Sequence, residues 1–94
     1  MADIWEKVQR LEGRTLHTLY QQKPFEIIKV TDKMVRLMPC EGKRRRRSIL
    51  RNRIEHLAAL GLHKDELRKR VQEEYPTSQN TSYYAAIVHE ISRG

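Results

Sequence analysis

Apolar residues recur at two different periods along this chain, and the change of period divides it into a β-rich first half and a helical second half. Ile4, Val8 and Leu11 are spaced as one face of a helix, with Asp3 and Glu6 in the form of a capping box and Gly13 as a stop. The pattern predicts a short amphipathic helix over 3–12, with Trp5 on its flank. From Thr15 to Arg47 the period falls to two. Leu16, Thr18 and Tyr20 alternate with Thr15, His17 and Leu19, and 25–30 and 34–38 are short β-rich runs. Turn-forming residues interrupt them at 21–24, 31–33 and 40–42, Gly42 being suited to positive φ. The expectation is an antiparallel meander of three or four strands, the last over 43–47. So small a sheet is not stable alone, and helices must cover one face.

Ser48 has the chemistry of an N-cap, and Leu50, Ile54, Leu57 and Ala58 then form one stripe that Gly61 closes. A third helix over 64–75 has Leu67 and Val71 as apolar contacts and ends at Pro76. A fourth, over about 82–92, buries Tyr84, Ile87, Val88 and Ile91. At 100° per residue this sets Ser82, Ala86, His89 and Arg93 on the opposite side. The 94 residues suit one domain. Its predicted class is α+β: a short N-terminal helix, a three- to four-stranded antiparallel β-meander, then three helices with a helix-turn-helix-like final pair.

Charge changes this picture most at one place. The chain carries 19 Lys and Arg against 12 acids. Eight of those bases and a single acid, Glu41, fall between Arg36 and Arg53, so the net charge of +7 belongs to that segment and the remainder balances. A concentrated field of one sign points to a polyanionic partner, above all nucleic acid. Guanidinium groups match phosphate oxygens bidentately where ammonium groups do not, so a run of arginines favours phosphate contact. Lys43, Arg44, Arg45, Arg46 and Arg47 are therefore the expected phosphate ligands, with Arg51 and Arg53 continuing the patch onto the next helix. In a strand, Arg44 and Arg46 would face one side, and Lys43, Arg45 and Arg47 the other. The N-terminal N–H groups of that helix, near Ser48, add a phosphate seat. A solvated edge-strand guard against aggregation is the plain alternative.

The segment LRKRVQEEYPTSQNTSYYAAIVHEI, from Leu67 to Ile91, resembles part of winged-helix domains. In those domains a helix ending in Tyr-Pro or Phe-Pro leads through a polar turn to a recognition helix opened by Asn, Ser or Thr. The resemblance covers about a quarter of the chain. It implies groove contacts from Asn80, Thr81, Ser82 and Tyr83. The usual wing follows the recognition helix, whereas here the sheet comes first, and the arginine-rich hairpin would take the part of the wing.

Other chemistries find little footing. Cys40 is the sole cysteine, which rules out an internal disulfide, and the four histidines are scattered without paired metal spacing. No glycine-rich phosphate loop occurs, and the first residues lack the apolar core of a signal peptide. The expectation is a non-catalytic module without metal or cofactor, binding nucleic acid, DNA ahead of RNA. It would act as a monomer or homodimer in the cytoplasm or nucleoid, or in the nucleus of a eukaryote, without a membrane. A protein-interaction module whose basic face docks an acidic protein partner is the alternative, with Ala85, Ala86 and His89 as a low-charge pairing face.

Overall fold

The computed structural model describes residues 4–40, 45–76 and 81–93, and everything structural below refers to them. The chain forms α1 (Ile4–Gln9), β1 (Thr15–His17), β2 (Pro24–Val30), β3 (Met34–Pro39), β4 (Arg47–Leu50), α2 (Arg51–Ala59), α3 (Lys64–Glu74) and α4 (Thr81–Arg93). This is the α+β layout that the patterning predicts. The strands form one antiparallel sheet in sequence order, β1-β2-β3-β4, so every neighbour in the sheet is also a neighbour in the chain.

One face of the sheet carries Leu16, Phe25, Ile27, Val35, Leu37 and Ile49, all buried, against the helices. The opposite face is open. Thr15, His17, Glu26, Lys29, Arg36, Ser48 and Leu50 are exposed there. A bulge between Ile27 and Lys29 interrupts the alternation of β2. It places Lys29 opposite Arg36, which in turn lies opposite Ser48, so the three form a row across the open face.

α4 is the centre of the helical layer. It packs against α1, α2, α3 and β1, and five successive residues, Tyr84, Ala85, Ala86, Ile87 and Val88, are buried. The expected outer face through Ala86 is therefore corrected: Ala85 and Ala86 are each only 3% exposed and cannot serve as a pairing face between copies. A helix covered nearly all round needs small residues where neighbours approach closest, and the two alanines provide that clearance. The Tyr84 hydroxyl accepts the backbone N–H of Leu50 at 3.1 Å, fixing the corner where the sheet hands over to α2.

Further expectations change. Trp5 lies in the core rather than on the flank of its helix, and its indole N–H donates to the Thr31 carbonyl at 3.0 Å. The first strand stops at His17, because Thr18 turns inward and closes a turn, accepting the Lys23 N–H through its hydroxyl. Tyr20 is consequently exposed. The last strand is Arg47–Leu50, not 43–47. Ile49, opposite Val35, is the side chain with apolar surface to bury, and it sets the register that an arginine run cannot set. Ser48 is thus a strand residue, not a cap. Leu50 occupies the N-cap position of α2 without a side-chain hydrogen bond, and at 40% exposure it is no part of the buried stripe. Gly61 follows the cap of α2 in the left-handed region at φ 63°, as the sequence predicts for a helix stop, whereas α1 ends at Gln9, short of the expected residue 12, and Gly13, at φ 82°, lies four residues beyond it.

Candidate nucleic-acid interface

The interface begins where β4 begins. Arg45 and Arg46 are exposed and enter β4 from the end at which β3 finishes, since Arg47 pairs with Leu37. Lys43, Arg44 and Asn80, and the hairpin tip expected at 41–42, lie outside the described residues.

Arg47 does not simply extend into solvent. Its guanidinium carbon lies 5.7 Å from the centre of the Tyr83 ring, and that ring packs edge-on against Phe25 at 5.0 Å. Arg53 is seated likewise, 4.5 Å from the Tyr75 ring, and Tyr75 stacks on Tyr84 at 5.8 Å. Tyr75 and Tyr83 stand on either side of the connection between α3 and α4. The two arginines therefore fasten β4 and α2 to both ends of that connection. A cation over an aromatic face gains about 0.5–2 kcal/mol. Burial pushes the Tyr75 phenol above its ordinary range, with Glu74 adding to the effect and Arg53 opposing it.

Arg51 is held differently. Its Nε donates to Glu55 at 2.9 Å, Nη1 donates to the Asp32 carbonyl at 3.0 Å, and the group covers the Trp5 ring at 5.0 Å. It ties α2 to the β2–β3 turn and to α1, and the Glu55 carboxylate offsets much of its charge. The helix N-terminus expected near Ser48 stands at Leu50–Arg51 instead, because Ser48 lies in β4 facing the open side, and the Arg51 N–H there donates to the Lys33 carbonyl at 2.9 Å. Of the expected groove contacts, Ser82 is exposed and Thr81 and Tyr83 are half-buried, whereas the next five residues of α4 are inside.

Three bases missed by sequence reading join the surface. Lys29 and Arg36 stand side by side on the open face, and Lys33 is exposed at the β2–β3 turn. Strict alternation from the buried Ile27 would turn Lys29 into the core, and the bulge reverses that parity. The signal in the sequence was thin: Lys29 beside Ile28 in a β-rich run. A strip of positive charge thus runs from Lys33 past Lys29 and Arg36 to Arg45 and Arg46. Along β3 alone it spans about 20 Å, from roughly 3.3 Å per residue.

Among the described residues no cluster of His, Cys, Asp or Glu could hold a metal ion, and no helix is long and apolar enough to cross a membrane. Comparison with protein-family models, with curated proteins and with solved structures finds no match to this chain.

Proposed function

We propose that the chain is a non-catalytic nucleic-acid-binding module that grips the phosphate backbone of duplex DNA along the β3–β4 side of its sheet. Arg45 and Arg46 make the leading contacts, and Arg47 and Arg53 act from their aromatic seats. Lys29, Lys33 and Arg36 extend the strip over a length equal to about six base-pair rises of 3.4 Å. Lys43, Arg44 and Asn80 belong to the same proposal by their sequence positions. Arg51 serves mainly to fix the start of α2. Thr81, Ser82 and Tyr83 offer contacts from the first turn of α4, which orients the protein on the duplex more than it reads bases.

The observation that supports this reading is the pair of contacts Arg47–Tyr83 and Arg53–Tyr75. They bring the arginine-rich segment and the α3–α4 connection, two features far apart in sequence, together at the β4 edge, on the helix side of the sheet whose open side carries Lys29 and Arg36. The place of action that goes with such a partner is the cytoplasm or nucleoid, or the nucleus in a eukaryote.

The test is the salt dependence of binding to a fluorescently labelled duplex of about 16 base pairs. Each phosphate neutralised contributes about 0.9 to the slope of log K against log salt. The double variant Arg45→Ala/Arg46→Ala is expected to lower affinity and to flatten the slope by about 1.8. Unchanged affinity and slope would remove the phosphate assignment. Tight binding to an acidic protein without binding to DNA would put the basic strip to use as a protein-docking face instead.

A further inference from the structure

A second polar site lies at the other edge of the sheet. A groove of about 300 Å³ opens between β1 and the second half of α4. Leu16 and Ala86, both buried, belong to its apolar part, which is the smaller share of the lining.

The rim has a different chemistry. Arg14 comes from the loop before β1, His17 from β1 itself, Lys64 from the start of α3 and His89 from α4, with Glu90 as the acid. Four separate segments deliver basic or protonatable nitrogen groups to one hollow. The Lys64 ammonium is held in place 5.0 Å from the Tyr20 ring. Tyr20 is in turn anchored to α3 through its hydrogen bond to Asp65 and the Arg68 guanidinium 4.2 Å from its ring. A volume near 300 Å³ is at the lower end for small-ligand sites, too small for a macromolecular groove.

We propose that this groove binds a small phosphorylated ligand carrying at least two negative charges. Arg14 is suited to take two phosphate oxygens together, Lys64 supplies a point charge, and His17 and His89 donate single N–H bonds from the flanks. The site is distinct from the DNA-binding strip and does not depend on it. β1 and β4 are opposite edges, about 14 Å apart at roughly 4.8 Å per strand step. Glu26 stands on the open face between Thr15 and Met38, so a carboxylate interrupts any anionic path from one edge to the other.

The experiment is a titration of the isotopically labelled chain with pyrophosphate and, separately, with adenosine diphosphate, followed by two-dimensional NMR. Saturable shifts confined to 14–19, Lys64 and 86–90 with either probe support the site. Arg14→Ala/Lys64→Ala, both positions being exposed, is expected to keep the melting temperature and weaken binding by about tenfold or more. Duplex DNA affinity should remain nearly unchanged in that variant. Shifts that appear at 45–53 instead, equal binding by the double variant, or no shifts at millimolar probe would each overturn the assignment.

Discussion

Arg47 and Tyr83 are separated by 36 positions in the chain, yet the guanidinium of one lies 5.7 Å from the ring centre of the other. The contact holds the first residue of β4 against the first turn of α4, and Phe25 supports the ring from the sheet side. A charged residue from the proposed DNA-binding strip is thereby also part of the packing between sheet and helix.

Removing the ring should cost stability before it costs binding. Tyr83→Ala loses an aromatic pair worth about 0.5–1.5 kcal/mol and a cation–π contact worth about 0.5–1 kcal/mol, besides apolar area. A loss of about 2 kcal/mol in urea denaturation is expected. Tyr83→Phe should be nearly neutral, because the ring and not the hydroxyl makes both contacts.

The open face gives a cleaner test of electrostatics. Lys29→Ala and Arg36→Ala alter exposed side chains in the middle of a sheet, so neither should shift the melting temperature by more than a degree or two. Each should flatten the salt slope of DNA binding by about 0.9 if it meets a phosphate. Anisotropy titrations at three salt concentrations decide the matter.

The interior of α4 predicts the opposite behaviour. Ala85→Asp places a charge at a position 3% exposed, a change expected to cost about 3–5 kcal/mol and to leave most of the chain unfolded by circular dichroism. Ser82→Ala, at the exposed start of the same helix, should leave the fold intact.

Tyr20 supplies a pH prediction. Its phenol is raised above the ordinary range, first by the hydrogen bond to Asp65, then by desolvation and the Asp65 charge, against the opposing effect of Arg68. A folded value above the unfolded one means the protonated phenol favours the fold. That contribution is fully present below the unfolded value of about 10 and fades as pH climbs through the raised folded value. Asp65→Asn should bring the Tyr20 transition downward in an ultraviolet phenolate titration.

Gly61 stands at φ 63° with no atom near the position a Cβ would take. Gly61→Ala therefore adds backbone strain without a clash and should cost about 1–2 kcal/mol in chemical denaturation.

These positions show what was readable in the sequence. The Gly61 stop, the positions of β2, β3 and α3, and the core residues Phe25, Leu67, Val71 and Tyr84 follow from periods of two and 3.6 and from turn chemistry. The segment from Lys43 to Leu50 resists the same reading. A run of bases has no apolar member to choose a face, so the strand is set by Ile49 and by its partner Val35 on another strand. α4 misleads for a related reason: helical periodicity marks the most apolar side, but alanine suits a buried side as well as an exposed one. Lys29 reaches the open face through a bulge, a local irregularity that alternation cannot foresee. The pairing of Arg47 with Tyr83 and of Arg53 with Tyr75 is tertiary throughout.

The burial of α4 bears on how copies of this protein are made. Each element that α4 supports is synthesised before it, and the Leu50 amide waits for a hydroxyl 34 residues downstream. A nascent chain that has not reached Thr81 presents the apolar side of its sheet and the inner faces of α2 and α3 to the cell. Exposed apolar surface of that kind is what chaperones and proteases act on, and packing of α4 covers it. The sheet and helices therefore close into one core only when α4 joins them, and the proposed DNA-binding edge is held in place by that late step.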